Sequence, residues 1–451
     1  MNMAYKLIVE NYGKIERAEI EVTPLTLFVG DNNSGKSYLL SLIWALLSED
    51  NIMLCQDLDN LLESNLPQFY MDLHNLITDK QIKQIEIDEK DIIQFINELF
   101  KVNKDKFVKS IFNFDGMSIG KIEIQNNSKH QYRIKMDTTV EDSGIEIYES
   151  DELWMRFVFS SELPYKKVIS RIITQMISGF LKNNLAPGST FYLPAARTGF
   201  MLAKNTINQV GRKRAFDWQI GNGIAMKSAE VSPFPKPIIH FLDTIDDLNY
   251  NTRESSRLNL IEWINDNMAN GRVECIDNNS GTIQYIPKGM DSGIPLRATS
   301  GVVTELAPLI LLLRYSRTIK EICYEEPEIC LHPQLQYQMA RLIIRMVNSG
   351  INIVASTHSD IIIQHINNMC QLNGHYDENR AILNQMGLYS DDLISIDEIS
   401  IYQFTDISGK TKVEKIVPDN NQFRVHSFSN ALNNLLNQTL AVSDIICDEE
   451  K

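Results

Sequence analysis

The sequence has no apolar run long enough to cross a bilayer; its longest apolar stretches are the size of a core strand. Its opening, MNMAYKLIVENYGKI, runs straight into a strand-like pattern with no basic segment followed by a long apolar one, so no secretory signal is expected. Cysteine is sparse. Cys55, Cys275, Cys323, Cys330, Cys370 and Cys447 include no C-x-x-C pair, and no histidine lies at zinc-finger spacing from a pair. That excludes a zinc finger and points to buried or free thiols in a reducing cytoplasm. Positive charge is short too: 58 acids face 43 bases, a net charge of −15. Proteins whose whole surface grips nucleic acid are usually basic, so bare duplex DNA is disfavoured as the main partner, while a local basic groove stays possible. There is no internal repeat, no low-complexity linker and no sustained heptad pattern.

What is present is a chain of 451 residues, enough for two or three lobes, with 43% hydrophobic and 22% charged residues, as in ordinary globular proteins. LIVENYGKIERAEIEV alternates as a half-buried antiparallel pair, and PLTLFVG reads as a strand buried on both faces, followed by the helical SYLLSLIWALLSE. Residues 50–110 read as helical; IDEKDIIQFINELFKVNKDKFVKSIF is amphipathic and predicts a helix laid on the core, with a protruding arm as the alternative. GKIEIQ, YRIKM, GIEIYE and WMRFVFS predict a small antiparallel sheet. FYLPAARTGF starts as a strand and breaks at Pro194; residues 200–270 look mainly helical, and RVECIDNNSGTIQYIP predicts a hairpin. From residue 296, helices and buried strands alternate, the mark of a parallel sheet covered by helices; SIYQF, KVEKIV and a helix over FSNALNNLLNQTL complete the tail. The expected class is α/β, a mixed or parallel sheet covered by helices, with a small antiparallel subdomain and a helical insertion. The expected division is 1–49, a glycine-loop half; 50–190, an insertion; 191–295, a mainly helical region; and 296–451, a second half with the C-terminal strands.

Four motifs carry chemistry. GDNNSGKS, Gly30 to Ser37, fits G-x-x-x-x-G-K-[ST] between a buried strand and a helix. Backbone N–H groups from Asn33 to Ser37 can cradle phosphates, Gly30 and Gly35 let the chain curl close, and Lys36 supplies a point charge for the β- and γ-phosphates. The nucleotide-binding set is Gly30, Asn32, Asn33, Ser34, Gly35, Lys36, Ser37 and Tyr38, with the Ser37 hydroxyl on Mg²⁺. IKEICYEEPEICLHP ends an apolar strand in Glu325-Glu326 before Pro327. Glu325 is assigned to the metal and Glu326 to the attacking water as general base; the bland alternative is a charged strand end. INIVASTHSD ends a buried strand at His358, which is placed to sense a γ-phosphate or is merely satisfied locally. In ATSGVVTEL, Ser300-Gly301 precedes an apolar helix and forms an anion site, or Ser300 is a simple N-cap.

In this order the motifs resemble the ABC-type ATPase head of SMC, RecF and overcoming-lysogenisation-defect proteins. The matches are a P-loop at Gly30–Ser37, a signature at Ser300-Gly301, a Walker B at Glu325-Glu326, a D-loop at LHPQLQ (Leu331 to Gln336) and a switch at His358. YEEPEICLHP is similar to the xEEPExxLHP form of the bacterial AAA ATPases grouped with those proteins, and FYLPAART to their YxPAxR segment, which makes Arg197 a candidate site residue. Glu replaces the usual Asp at the Walker B metal position, no Q-loop glutamine is assignable, coiled-coil arms are absent, and no nuclease domain is expected after His358. The resemblance implies ATP and Mg²⁺ as ligands. It also implies a two-fold dimer that sandwiches two ATP molecules, each P-loop facing the other subunit's Ser300-Gly301. It further implies a switch similar to the stand-alone ATPases of PARIS and Septu anti-phage systems, cytoplasmic, acting with a separately encoded effector and no membrane. The alternatives are a RecF- or SMC-like DNA-repair ATPase and a transporter-associated subunit; the long insertion disfavours the latter.

Overall fold

The computed structural model describes residues 5–48, 54, 68–79, 81–126, 130–137, 143–149, 151–159, 163–181, 189–204, 206–207, 234–250, 257–277, 282–316, 319–425 and 436–440. Along the chain come β1 (Lys6–Tyr12), β2 (Ile15–Glu21), β3 (Leu25–Gly30) and α1 (Lys36–Leu47). Then follow α2 (Gln68–Thr78), β4 (Gln84–Asp88), α3 (Glu89–Phe112), β5 (Ile119–Gln125), β6 (Gln131–Asp137), β7 (Ser143–Glu149), β8 (Glu152–Phe159) and α4 (Tyr165–Leu181). Next are β9 (Ser189–Leu193), α5 (Lys236–Asp247), α6 (Leu258–Ile264), β10 (Gly271–Asp277), β11 (Thr282–Pro287) and β12 (Ile294–Pro295). The last part holds α7 (Gly301–Tyr315), β13 (Ile319–Glu325), α8 (Pro333–Asn348), β14 (Asn352–Ser356), α9 (Asp360–Asn373), α10 (Tyr376–Gln385), β15 (Ile399–Ile407) and β16 (Lys410–Lys415).

The main sheet has nine strands in the order β5-β1-β2-β16-β15-β3-β14-β13-β9. Its central strands β15, β3, β14, β13 and β9 run parallel, so their carboxyl ends open on one edge, where parallel sheets place their ligands. β3 is buried at every position, as its unbroken apolar run requires. Its alternate side chains feed two cores: Phe28 packs with α1 and α3 on one face, while Leu25, Leu27 and Val29 pack with α7, α8 and α9 on the other. Each such side chain, fully buried, contributes roughly 1.5–3 kcal/mol of transfer free energy. This is an α/β fold, a mixed sheet covered on both faces.

The small antiparallel sheet differs from expectation. GKIEIQ, as β5, pairs with β1 and extends the main sheet. Ile122 and Ile124 face the core, and the Asn97 side chain of α3 bridges the backbone N–H and C=O of Ile124. The four-stranded satellite sheet runs β4-β6-β7-β8, and its first strand, QIEID, comes from the stretch read as helical. Five alternating residues abutting a 24-residue helix are masked by the helix's stronger period. That helix, α3, lies on the core through Ile92, Phe95, Ile96, Leu99, Phe100 and Phe107; it is not a protruding arm. The hairpin over 271–287 is present as β10 and β11. Most of 205–233 and of the expected tail helix falls outside the described residues. Among the described residues no helix is long and apolar enough to cross a membrane.

Candidate functional site

The glycine loop is fixed by its neighbours before any ligand is considered. Gly30 pairs with Phe404 of β15 at φ +117°, and a Cβ there would land 2.1 Å from the Phe404 carbonyl oxygen, so only glycine fits. The Asp31 N–H donates to that same oxygen at 3.0 Å, and Asp31 Oδ2 accepts the Asp406 N–H at 2.9 Å. Gly35, at φ +94°, N-caps α1 against Ile15, and Asn33 adopts φ +55°, which asparagine tolerates better than most residues. The buried Ser34 hydroxyl donates to Asp31 O at 2.7 Å.

Lys36 is only 5% exposed. Its Nζ turns back on the loop, donating to Gly30 O at 3.1 Å, Asp31 O at 2.5 Å and Ser34 Oγ at 3.3 Å. Burial pushes its pKa down to about 8, opposed by Glu326, Asp31 and Glu328. Asn32, Asn33, Ser37 and Tyr38 are exposed around it. The Tyr38 ring stands edge-on to Phe112 at 5.2 Å and tilted against Tyr12 at 6.1 Å.

The acids arrive from β13. Glu325, Ser356 and Phe28 lie in one row across the parallel strands, so the residues just past them converge. Glu325 Oε2 accepts the Ala195 N–H at 2.9 Å. The Glu326 N–H donates to Ser356 O at 2.9 Å, and Glu326 takes a left-handed φ of +42°. Its half-buried carboxyl is raised above the usual range by burial and by Glu325, against Lys36 and Arg197. Such a carboxyl is a better proton acceptor than one free in water. His358 follows β14; burial first and Lys36 second push its pKa below the ordinary value, so the ring is neutral at pH ~7.

Three residues given no role, or no firm one, in the sequence reading join this cluster. Glu328 accepts the Thr357 hydroxyl at 2.9 Å and the His358 N–H at 2.5 Å, tying the Walker B loop to the switch loop. Burial raises its carboxyl despite those donors. Its signal was visible as the third acid of YEEPE. Arg197 is fully buried, donates to Pro194 O, Glu325 O and Glu326 O, and pairs with Glu305 of α7. The YxPAxR segment pointed to Arg197; nothing local pointed to Glu305.

Ser300 and Gly301 stand apart. Ser300 is the N-cap of α7 and accepts the Val303 N–H at 3.4 Å, its O accepts the Thr304 N–H at 3.1 Å, and both residues are exposed. The structure thus gathers Lys36, Glu325, Glu326 and His358 on one edge, while the hydrogen bonds of Ser300 stay within its own helix.

Over residues 3–186 and 202–363, more than half of the chain, the sequence matches the AAA ATPase domain family. The chain belongs to that family. Among solved structures, the SMC head domain from Thermotoga maritima aligns with a TM-score of 0.35 at 9% identity, over 93% of this chain and 100% of that one. An SMC head bound to the C-winged helix domain of ScpA gives a TM-score of 0.37 at 12% identity, over 91% and 97%. These likenesses are too distant to carry a role or a partner across. No curated protein matches.

For an AAA ATPase the donor chemistry suits a nucleotide-borne Mg²⁺. Among the described residues no group of three or more His, Cys, Asp or Glu could hold a metal alone. A magnesium ion that arrives with phosphate needs only one or two protein oxygens. The exposed Ser37 hydroxyl in the first turn of α1 and the Glu325 carboxylate at the end of β13 are donors of that kind.

Proposed function

We propose that this chain binds and hydrolyses ATP as a switch, at a site completed by a second copy of itself. The observation that carries the reading is the division of the site. Lys36, Glu326 and His358 share one edge of the sheet, whereas Ser300 and Gly301 present an uncovered helix N-terminus to solvent. In the proposed cycle the loop N–H groups and Lys36 hold the phosphates, Lys36 exchanging its bonds to Gly30 O and Asp31 O for phosphate oxygens. Mg²⁺, when bound by Ser37 and Glu325, would neutralise phosphate charge. Glu326 takes the proton from the attacking water, and His358, neutral and close enough to feel Lys36, donates to or accepts from the γ-phosphate environment. Ser300 and the α7 N-terminus of the other copy close the anion site.

We place this switch in a bacterial anti-phage defence system, working in the cytoplasm with a separately encoded effector. The YEEPEICLHP and FYLPAART segments and the net charge of −15, which suits protein partners, support that reading. The test is the solution mass of Glu326→Gln with and without ATP and Mg²⁺, by light scattering. The expected result is tight ATP binding, turnover reduced at least about a hundredfold, and a shift from monomer to dimer. A monomer under both conditions, or normal turnover, would sink the composite-site reading. Strong stimulation of wild-type turnover by DNA would move the role to the DNA-repair alternative.

A further inference from the structure

Arg197 and Glu305 are each 0% exposed, and they pair with one another through Nη2. Two charges removed from water demand a reason, because a buried ion pair is rarely worth more than an apolar pair of the same size. The other contacts of Arg197 supply one. Its Nη1 donates to Pro194 O at 2.9 Å and Glu325 O at 2.7 Å, and its Nη2 to Glu326 O at 3.0 Å. The guanidinium also lies 4.7 Å from the Tyr324 ring centroid. One planar fork therefore grips three consecutive residues at the end of β13. Glu326 sits there at φ +42°, a conformation that costs a glutamate free energy unless its surroundings hold it. That backbone angle sets where the Glu326 carboxyl points.

The other end of the link is the helix that begins at Ser300. Glu305 lies in the second turn of α7, just beyond Thr304, whose N–H donates to Ser300 O. A helix moves as a rigid body, so a load on Ser300 reaches Glu305. The carboxylate of Glu305 is clamped from the far side by the Thr198 hydroxyl at 2.5 Å, the residue next to Arg197. Burial raises the Glu305 carboxyl above its ordinary range even with Arg197 and Thr198 beside it. Gly301 also lies beside the loop that follows Glu326, where a Cβ built on it would stand 3.9 Å from Cys330 Cβ.

We propose that Arg197 and Glu305 are positioning residues for hydrolysis: they convert a displacement of the α7 helix into a displacement of the Glu325-Glu326 backbone. The proposal deepens the ATPase reading above and rests on it. Engagement of Ser300 by the nucleotide of the facing copy would then align Glu326, so that hydrolysis waits for the dimer.

The test compares the full-length wild type with Arg197→Lys and Glu305→Gln in equilibrium ATP binding, steady-state turnover and thermal melting. A lysine keeps the charge but cannot fork to three carbonyls, and glutamine keeps the shape without the charge. The expected result for both is ATP affinity within about twofold, kcat down at least about tenfold, and KM little changed. Folded variants with wild-type kcat would overturn the pair, as would turnover falling only in step with the folded fraction, the pattern of a purely structural link. Should both single variants fail to fold, Arg197→Met with Glu305→Leu removes the charges together and is the version expected to stay folded; full turnover there overturns the proposal, and its loss with ATP binding intact supports it. Wild type that binds ATP without any turnover would instead overturn the hydrolysis reading itself, and this proposal with it.

Discussion

Alkaline pH will loosen ATP binding by titrating Lys36. Burial holds this ammonium down at about 8 in the free protein, against ~10.4 for a lysine in water. A triphosphate beside Nζ favours the charged form, so the pKa with ATP bound lies above the free value. The protonated lysine is then the form that binds: affinity is full below the free value and is lost as pH climbs through it. A single site obeying that linkage loses roughly tenfold in affinity, ~1.4 kcal/mol, between pH ~7 and ~9. The phosphate and His358 titrate outside this window. Phosphate ionisation near 6 is complete by then, and His358, already pushed below its ordinary value, is neutral throughout. Calorimetry in two buffers of different ionisation enthalpy counts the proton directly, with uptake of roughly half a proton per site expected at pH ~8. An affinity that stays flat from pH ~7 to ~9, without proton uptake, would refute the idea that Lys36 meets the phosphate from a buried, partly discharged state.

Two further perturbations test the frame that holds the loop. Gly30→Ala puts a methyl 2.1 Å from Phe404 O at φ +117°, so β3 and β15 must part. The strained conformation and a lost ladder bond together cost about 2–3 kcal/mol, read as a lower urea midpoint; an unchanged midpoint would contradict the register of these strands. Asp392, 0% exposed, accepts from Arg341 at 2.7 and 3.1 Å and from Arg345 at 2.7 and 3.0 Å. Asp392→Ala strands both guanidiniums and should cost about 3–5 kcal/mol of unfolding free energy. Burial works against the Asp392 carboxylate, but the arginine hydrogen bonds win and hold its pKa below the ordinary range. Its contribution is therefore present above the unfolded value of ~3.9 and lost as pH falls through the folded one. A variant whose acid unfolding matches wild type would rule that linkage out.

The parts of this molecule that were legible in its sequence are those where one short segment carries the whole signal. PLTLFVG had to be a strand buried on both faces, because six apolar or small residues in a row cannot face water, and the helix after Gly35 follows from its spacing. The alternation of helix and strand from residue 301 to 373 is legible for the same reason. What periodicity cannot give is which neighbour a strand chooses. β5 and β6 both alternate, yet β5 leaves for the main sheet because the free edge of β1 and the Asn97 side chain capture it. Contacts between distant segments are hidden in the same way: Thr198 and Glu305 are 107 positions apart, and nothing in either local pattern names the other. Glu328 lies between these cases. It was visible as an acid but not as the clamp of the switch loop, because its partners are a threonine hydroxyl and a backbone N–H 29 and 30 positions on.

The charge around Lys36 bears on why one chain would be an incomplete machine. Asp31, Glu326 and Glu328 all act on Lys36, and Glu325 acts on Glu326. Three carboxylates thus act on one lysine, with Glu325 beside Glu326, at the place a triphosphate, with about four negative charges of its own, would occupy. The loop N–H groups and the α1 dipole offset only part of that repulsion, since a helix terminus carries roughly half a charge. Closing the gap needs cations and further donors. Mg²⁺ on Ser37 and Glu325 would supply the first, and a second helix N-terminus the other. Among the described residues α7 presents such a terminus, with the exposed Ser300 hydroxyl as its N-cap. The proposed two-fold pairing would bring two such termini to two such loops in a single step and leave neither copy with an open half-site. The same acidic cluster that disfavours binding in one chain would then make binding conditional on the second.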